Sequence, residues 1–250
     1  MKNRLTTAGV LLALAATACG CAAHLPGASA RPQSAPSTTA RTAATALDAL
    51  KTLPVKGRAP KTGYDRTGKF GPAWSDTTTA PGAQNLCDTR DDVLIRDLRD
   101  VRFRAGSRCI VISGTLPDPY TGQDIAFTRG PRTSLAVQID HVVALSDAWQ
   151  TGAQTLTQAQ REALANDPLE LVAASGPANT QKSDADAASW LPANKTFRCS
   201  YVARQIAVKA KYRLWVTPAE HTAMARVLNT CPAQQLPRDD SQGVALKTPK

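Results

Sequence analysis

Three places in this 250-residue chain hold side chains whose types and order could carry chemistry together. In VQIDHVVALSDAW, Val137 to Trp149, Asp140 stands directly before His141, one of three histidines, at the end of a segment that reads as a strand. Asp140 can ligate a hard divalent cation. His141, with an ordinary pKa near ~6.5, can take a proton from water at neutral pH. Downstream, NTQK places Asn179 and Lys182 three residues apart, hence on one face of a helix. The Asn179 amide oxygen is a reasonable second ligand for a cation that prefers oxygen donors and keeps several waters. Between them, Asn166 precedes a second short strand, where its side chain can fix a loop by bonding backbone groups. Strand, loop, strand and amide-bearing helix form an assembly suited to metal-assisted hydrolysis.

The elements around these residues read as mixed. ALDALKTL is a short helix, GYDRTGKFGPAWSD a packed aromatic loop, and DTRDDVLIRDL a helix with Val93, Leu94 and Leu98 on one face. CIVISGTL and DIAFTR form a hairpin around the turn cluster PDPYTGQ. SLAVQID and LELVAA are further strands, and TLTQAQREALAN opens with capping-box spacing at Thr157 and Gln160. GPANTQKSDADAASW begins a helix. Two stronger helices follow, FRCSYVARQIAVKAKYRL and TPAEHTAMARVLNTC, the second with Thr217 as N-cap and Pro218 at its first position. No internal repeat is present. The fold class is therefore α+β.

The N-terminus reads as an export signal. Lys2 and Arg4 precede an apolar run from Leu5 to Ala18 that is too short for a stable membrane span. Two processing sites compete. ATAC ending at Cys19 resembles a lipobox, whose cysteine would be lipidated after cleavage, and ASA offers release after Ala30. The apolar run stops directly before Cys19, which favours the lipoprotein. On this reading residues 1–18 are the signal, 19–46 a Pro/Ser/Thr/Ala-rich tether, 47–235 the folded domain and 236–250 a loose tail.

Four cysteines lie beyond the signal region. In an exported chain they read as two disulfides. Cys87 and Cys109 flank one local unit and Cys199 and Cys231 flank a helix pair, so local pairing is expected. No Cys/His cluster suits structural zinc. The formal charge is +10, falling to +8 once Lys2 and Arg4 are removed, which fits a polyanionic partner: nucleic acid, teichoic acid or an anionic membrane. No protein partner is legible.

The ordered set Asp140-His141, Asn166 and Asn179-x-x-Lys182, with its flanking words IDHVVALSDAWQTGAQ, ANDPLELVAASGPANTQKSD and RCSYVARQIAVKAKYRLWVT, resembles the ββα-metal HNH nuclease motif in its D-H…N…N form. The surroundings, back through YDR, CDTRDDVL and SGTLPDPYTG, resemble the secreted HNH endonuclease family proteins of actinobacteria, related to the C-terminal domain of the GmrSD restriction enzymes. The resemblance covers about residues 54–235 and implies a metal-dependent endonuclease. His141 would be the general base, Asp140 and Asn179 the protein ligands of a single Mg²⁺ or Mn²⁺, Asn166 the brace of the loop presenting His141. Lys182 would hold the helix or the phosphate. Asn rather than His at the last motif position favours Mg²⁺ or Mn²⁺ over Zn²⁺.

DNA is the expected substrate, with RNA open. The rivals are an envelope lipoprotein that binds DNA or anionic wall polymer without catalysis, and a hydrolase of another phosphodiester such as teichoic acid. Asp184 and Asp186 could add metal ligands but read better as first-turn acids of a helix. His24 and His221 read as incidental, and Trp149, Trp190 and Trp215 as core. Arg198, Arg204, Lys209, Lys211 and Arg213 form a basic run divided between phosphate contact and burial of aliphatic stems.

Overall fold

The computed structural model describes residues 45–237. At its centre, strand β4 (Val137–His141) pairs antiparallel with β5 (Leu171–Ser175), with Asp140 opposite Val172 and His141 opposite Leu171. Every residue of β5 is buried, because this two-stranded unit is covered on both faces. Strand alternation divides the faces. Val137, Ile139, Leu171 and Ala173 join one apolar cluster, while Val172 and Ala174 join a second and larger one.

The smaller cluster is completed by helix α3 (Thr89–Asp97) and a three-stranded antiparallel sheet, β1 (Arg99–Phe103), β2 (Val111–Pro117) and β3 (Asp124–Thr128), in the order β1-β2-β3. The larger holds helix α1 (Ala46–Thr52), α4 (Leu145–Gln150), α7 (Arg198–Lys211) and α8 (Pro218–Leu228). Helix α5 (Gln158–Ala165) runs between α4 and β5, and its capping box at Thr157 and Gln160 is formed on both sides. A matching box of Thr217 and Glu220 opens α8. Helix α2 (Arg66–Phe70) packs on α5.

Helix α6 (Gly176–Lys182) leaves β5 without a loop. Ser175 caps it, accepting a hydrogen bond from the Ala178 N–H, and Pro177 stands in its first turn. Gly176 is required by proximity: a Cβ there would lie 2.0 Å from the Leu135 carbonyl oxygen. That carbonyl belongs to the 3-10 turn Thr133–Ala136, which leads straight into β4. The contact fixes α6 against the start of the strand that carries Asp140 and His141.

Both expected disulfides are formed, Cys87–Cys109 and Cys199–Cys231, the second joining the start of α7 to the end of α8. Thr45 and Ala46, read from sequence as the end of a tether, are the N-cap and first residue of α1. The Ala46 N–H donates to the Gln234 carbonyl at 2.8 Å. Leu236, assigned to the tail, packs on the larger core. The signal, Cys19, Ala30, His24, most of the tether and residues 238–250 lie outside the described residues.

Two elements differ from expectation. GPANTQKSDADAASW does not continue as one helix: Ser183, with φ of 49°, ends α6. Asp184 and Asp186 therefore follow a helix instead of opening one; Asp184 pairs with Lys61 at 2.9 Å, and Asp186 pairs with Arg58 at 2.8 Å while accepting from the N–H groups of Ala188 and Ser189. The basic run is mostly structural. Lys209 is buried between Asp147 and Glu220, at 3.1 and 2.9 Å, Arg204 donates to the carbonyls of Pro168, Leu169 and Leu171, and Lys211 pairs with Asp167.

Candidate active site

Asp140 points toward α6 and is held from two sides. The Tyr120 hydroxyl donates to Oδ2 at 2.5 Å and the Lys182 ammonium to Oδ1 at 3.0 Å. Lys182 also donates to the His141 carbonyl at 2.8 Å. Its side chain is fully buried, and these two contacts link α6 to β4. Burial pushes the Asp140 carboxyl above the ordinary carboxylate value, opposed by Lys182 and Tyr120.

His141 points to the opposite face of β4. Its Nε2 lies 2.9 Å from the Ala165 carbonyl. A carbonyl can only accept, so Nε2 carries the proton and the neutral ring keeps its lone pair on Nδ1. Nδ1 has no hydrogen-bond partner among the described residues. Trp74 lies parallel to the imidazole, with centroids 5.8 Å apart and planes 14° apart. Burial, reinforced by the positive charge of Arg66, pushes the ring's pKa down to about 3, and His141 is neutral at ordinary pH.

Asn166 follows the carbonyl that fixes His141. It ends α5, is buried, and its Nδ2 donates to the Glu162 carbonyl at 2.9 Å. It stands directly after Ala165, whose carbonyl meets His141. On α6 the Asn179 amide donates through Nδ2 to Gln138 Oε1 at 2.9 Å. That bond leaves Oδ1 as the amide's acceptor, and Asn179 lines the cleft beside Asp140 and His141.

These groups meet in a cleft of about 220 Å³ lined by Tyr64, Arg66, Asp140, His141, Asn179 and Asp184. The structure thus brings together Asp140, His141 and Asn179, with Asn166 and Lys182 behind them. Three contributors escaped the sequence reading: Tyr120 in a turn cluster, and Arg66 and Trp74 in a segment read only as a packed loop. The residues just before that segment are strapped across α4, where the Ala59 N–H donates to the Gln150 carbonyl and the Trp149 indole to the Thr62 carbonyl. Nothing local in the sequence marks these long-range contacts; the Tyr64-Asp65-Arg66 word was the one available signal.

The helix-backed antiparallel pair and the carboxylate, imidazole and amide of its cleft lie inside residues 88–227, which match a nuclease-type domain family. The chain belongs to the family described as GmrSD restriction endonucleases, C-terminal domain, whose profile matches residues 88–227. It is also similar to an uncharacterized secreted protein of the fungus Arthroderma benhamiae, 38% identical over 191 residues that span 76% of this chain and 86% of the relative. No solved structure matches the chain. Two disulfides in one domain are consistent with an exported protein.

Proposed function

We propose that this protein is an exported, metal-dependent HNH-type endonuclease that hydrolyses phosphodiester bonds of DNA, with RNA as the alternative substrate and little sequence specificity. The observation that carries the reading is the convergence of Asp140, His141 and Asn179 on one cleft, with the imidazole lone pair left on Nδ1.

The donor set fits a hard divalent cation. A carboxylate has about four acceptor positions, and Asp140 spends one on Tyr120 and one on Lys182. Asn179 keeps its amide oxygen. Among the described residues no group of three His, Cys, Asp or Glu could hold a metal, so the protein's share is sparse. That suits Mg²⁺ or Mn²⁺, which retain waters and take further ligands from phosphate, better than Zn²⁺. Asp140 and Asn179 would hold the ion, which when bound stabilises charge on the phosphate and leaving oxygen.

His141 accepts the proton of the attacking water at Nδ1. The low pKa of the free ring makes it neutral but weakly basic; an anionic phosphate in the cleft favours the imidazolium and raises that basicity. Asn166 fixes the Ala165 carbonyl and so the ring's tautomer. Lys182 and Tyr120 orient Asp140. Before the domain, Cys19 would carry the lipid of an envelope-anchored form, with release after Ala30 as the alternative; an intact mass showing a diacylglyceryl group on Cys19 or a chain starting at Arg31 separates them.

Supercoiled plasmid incubated with the disulfide-intact protein tests the metal requirement. Nicking in Mg²⁺ or Mn²⁺ that stops in EDTA is expected. Cleavage that persists in EDTA, or salt-sensitive binding without cleavage under every metal, contradicts the reading.

A further inference from the structure

We propose that Arg66 is the substrate-phosphate anchor of this cleft, an assignment that rests on the nuclease reading above. Arg66 is the first residue of α2, is exposed, and lines the cleft beside Asp140, His141 and Asn179. It also lines a second crevice on the other side of the imidazole, with Trp74 and Asn166. Arg66 therefore borders, with His141, both the cleft and the crevice, and its charge acts on the imidazole.

What distinguishes it is that its donors are unspent. Arg58 is committed to Asp147 and Asp186. Lys61 pairs with Asp184 on the cleft wall, Arg161 is taken up by backbone carbonyls, among them that of Lys69 at 2.8 Å, and Lys182 is buried on Asp140. Arg66 makes no hydrogen bond or ion pair among the described residues. A guanidinium offers a planar fork matched to two non-bridging phosphate oxygens, and here it faces a cleft whose other polar groups are a carboxylate, an imidazole and an amide oxygen.

Its position is also fixed in advance. Asp65 caps α2, accepting from the Gly68 N–H at 3.0 Å. Phe70, at the helix end, is 1% exposed and packs edge-on against Tyr64 and Trp149. Arg161 holds the Lys69 carbonyl. Gly71 ends the helix with φ of 75° where a Cβ would meet Glu162 at 2.8 Å. A short helix anchored at its cap, its core residue and its end presents Arg66 at low entropic cost. Since the family profile begins at residue 88, a segment outside the matched region completes the substrate site.

Arg66→Ala and Arg66→Lys separate this role from a structural one. Steady-state cleavage of a short DNA duplex with Mg²⁺ should show kcat/KM lowered roughly 10- to 100-fold in Arg66→Ala, the loss of one charge-assisted contact, with partial recovery in Arg66→Lys, which keeps the charge but not the fork. Binding of the same duplex as a function of salt, compared between His141→Ala and His141→Ala/Arg66→Ala, should lose about one unit of slope in log Kd against log salt. Cleavage within about twofold of wild type together with an unchanged slope overturns the proposal. A wild-type protein that binds but does not cleave overturns the nuclease reading instead, and the slope comparison still decides Arg66.

Discussion

Lys182 and Asp140 form an almost wholly buried ion pair: Nζ to Oδ1 is 3.0 Å, with side chains 0% and 6% exposed. A buried charge is tolerated only when paired and hydrogen-bonded. Here the ammonium is divided between the carboxylate and the His141 carbonyl, and the carboxylate between lysine and tyrosine. The pair therefore ties α6 to the Asp-His step of β4. Lys182→Met fills the space but strands the carboxylate. It should cost about 3–5 kcal/mol, the usual penalty for breaking a buried pair from one side, read by urea denaturation. A loss below about 1 kcal/mol would place Lys182 in the class of exposed pairs and contradict its role as the tie.

Gly176 makes a separate prediction for the same helix. A Cβ at this position would fall 2.0 Å from the Leu135 oxygen, a backbone atom that cannot rotate away. Gly176→Ala should destabilise the fold by roughly 1–3 kcal/mol as an overpacked site and displace Asn179 from the cleft, lowering cleavage more than stability alone explains. Full activity at a temperature where the variant is folded would show that α6 tolerates the shift.

The pH dependence of stability has one assignable source in Asp92. Burial raises its pKa to about 6 from the ordinary 3.8; the Asn85 amide opposes the rise, and Asp76, Asp88 and Asp91 add to it. The native state thus binds more protons than the unfolded one between those values. The stability contributed is full below about 3.8 and is lost as pH rises through about 6. Asp92→Asn keeps the shape without the charge, so its stability relative to wild type should climb from pH 4 to pH 6 and level off above. Denaturation midpoints of the two proteins across that range check this, and a flat difference, or one that falls with pH, contradicts it.

Much of the frame was legible because its signals are local. The capping boxes at Thr157 and Thr217 act over three residues, and the cysteine pairing followed from the helices and strands between the cysteines. Asp140, His141 and Asn179 stood out through their order in the chain, and the fold brings all three to one cleft. What escaped depends on distance in sequence. Trp74 reaches His141 across the fold, and its backbone adopts a φ of 62° that no residue-type rule announces. Tyr120 finds Asp140 through the packing of a turn. The burial of Lys182 and Lys209 was not legible, because their acidic partners come from other elements. Strand β1, RDVRF, lacks alternation because its pairing with β2 is interrupted by register shifts, and the six-residue α4 has no side-chain N-cap to mark it.

The central claim is that His141 is the base of a hydrolytic site, and the most direct measurement is the rate of plasmid nicking by His141→Ala beside wild type, in Mg²⁺, with both proteins carrying intact disulfides and matching thermal unfolding. Loss of a positioned general base should lower the rate about 10²- to 10⁴-fold while DNA binding persists. A variant that cleaves at the wild-type rate would remove His141 from the chemistry and with it the mechanism derived from this cleft.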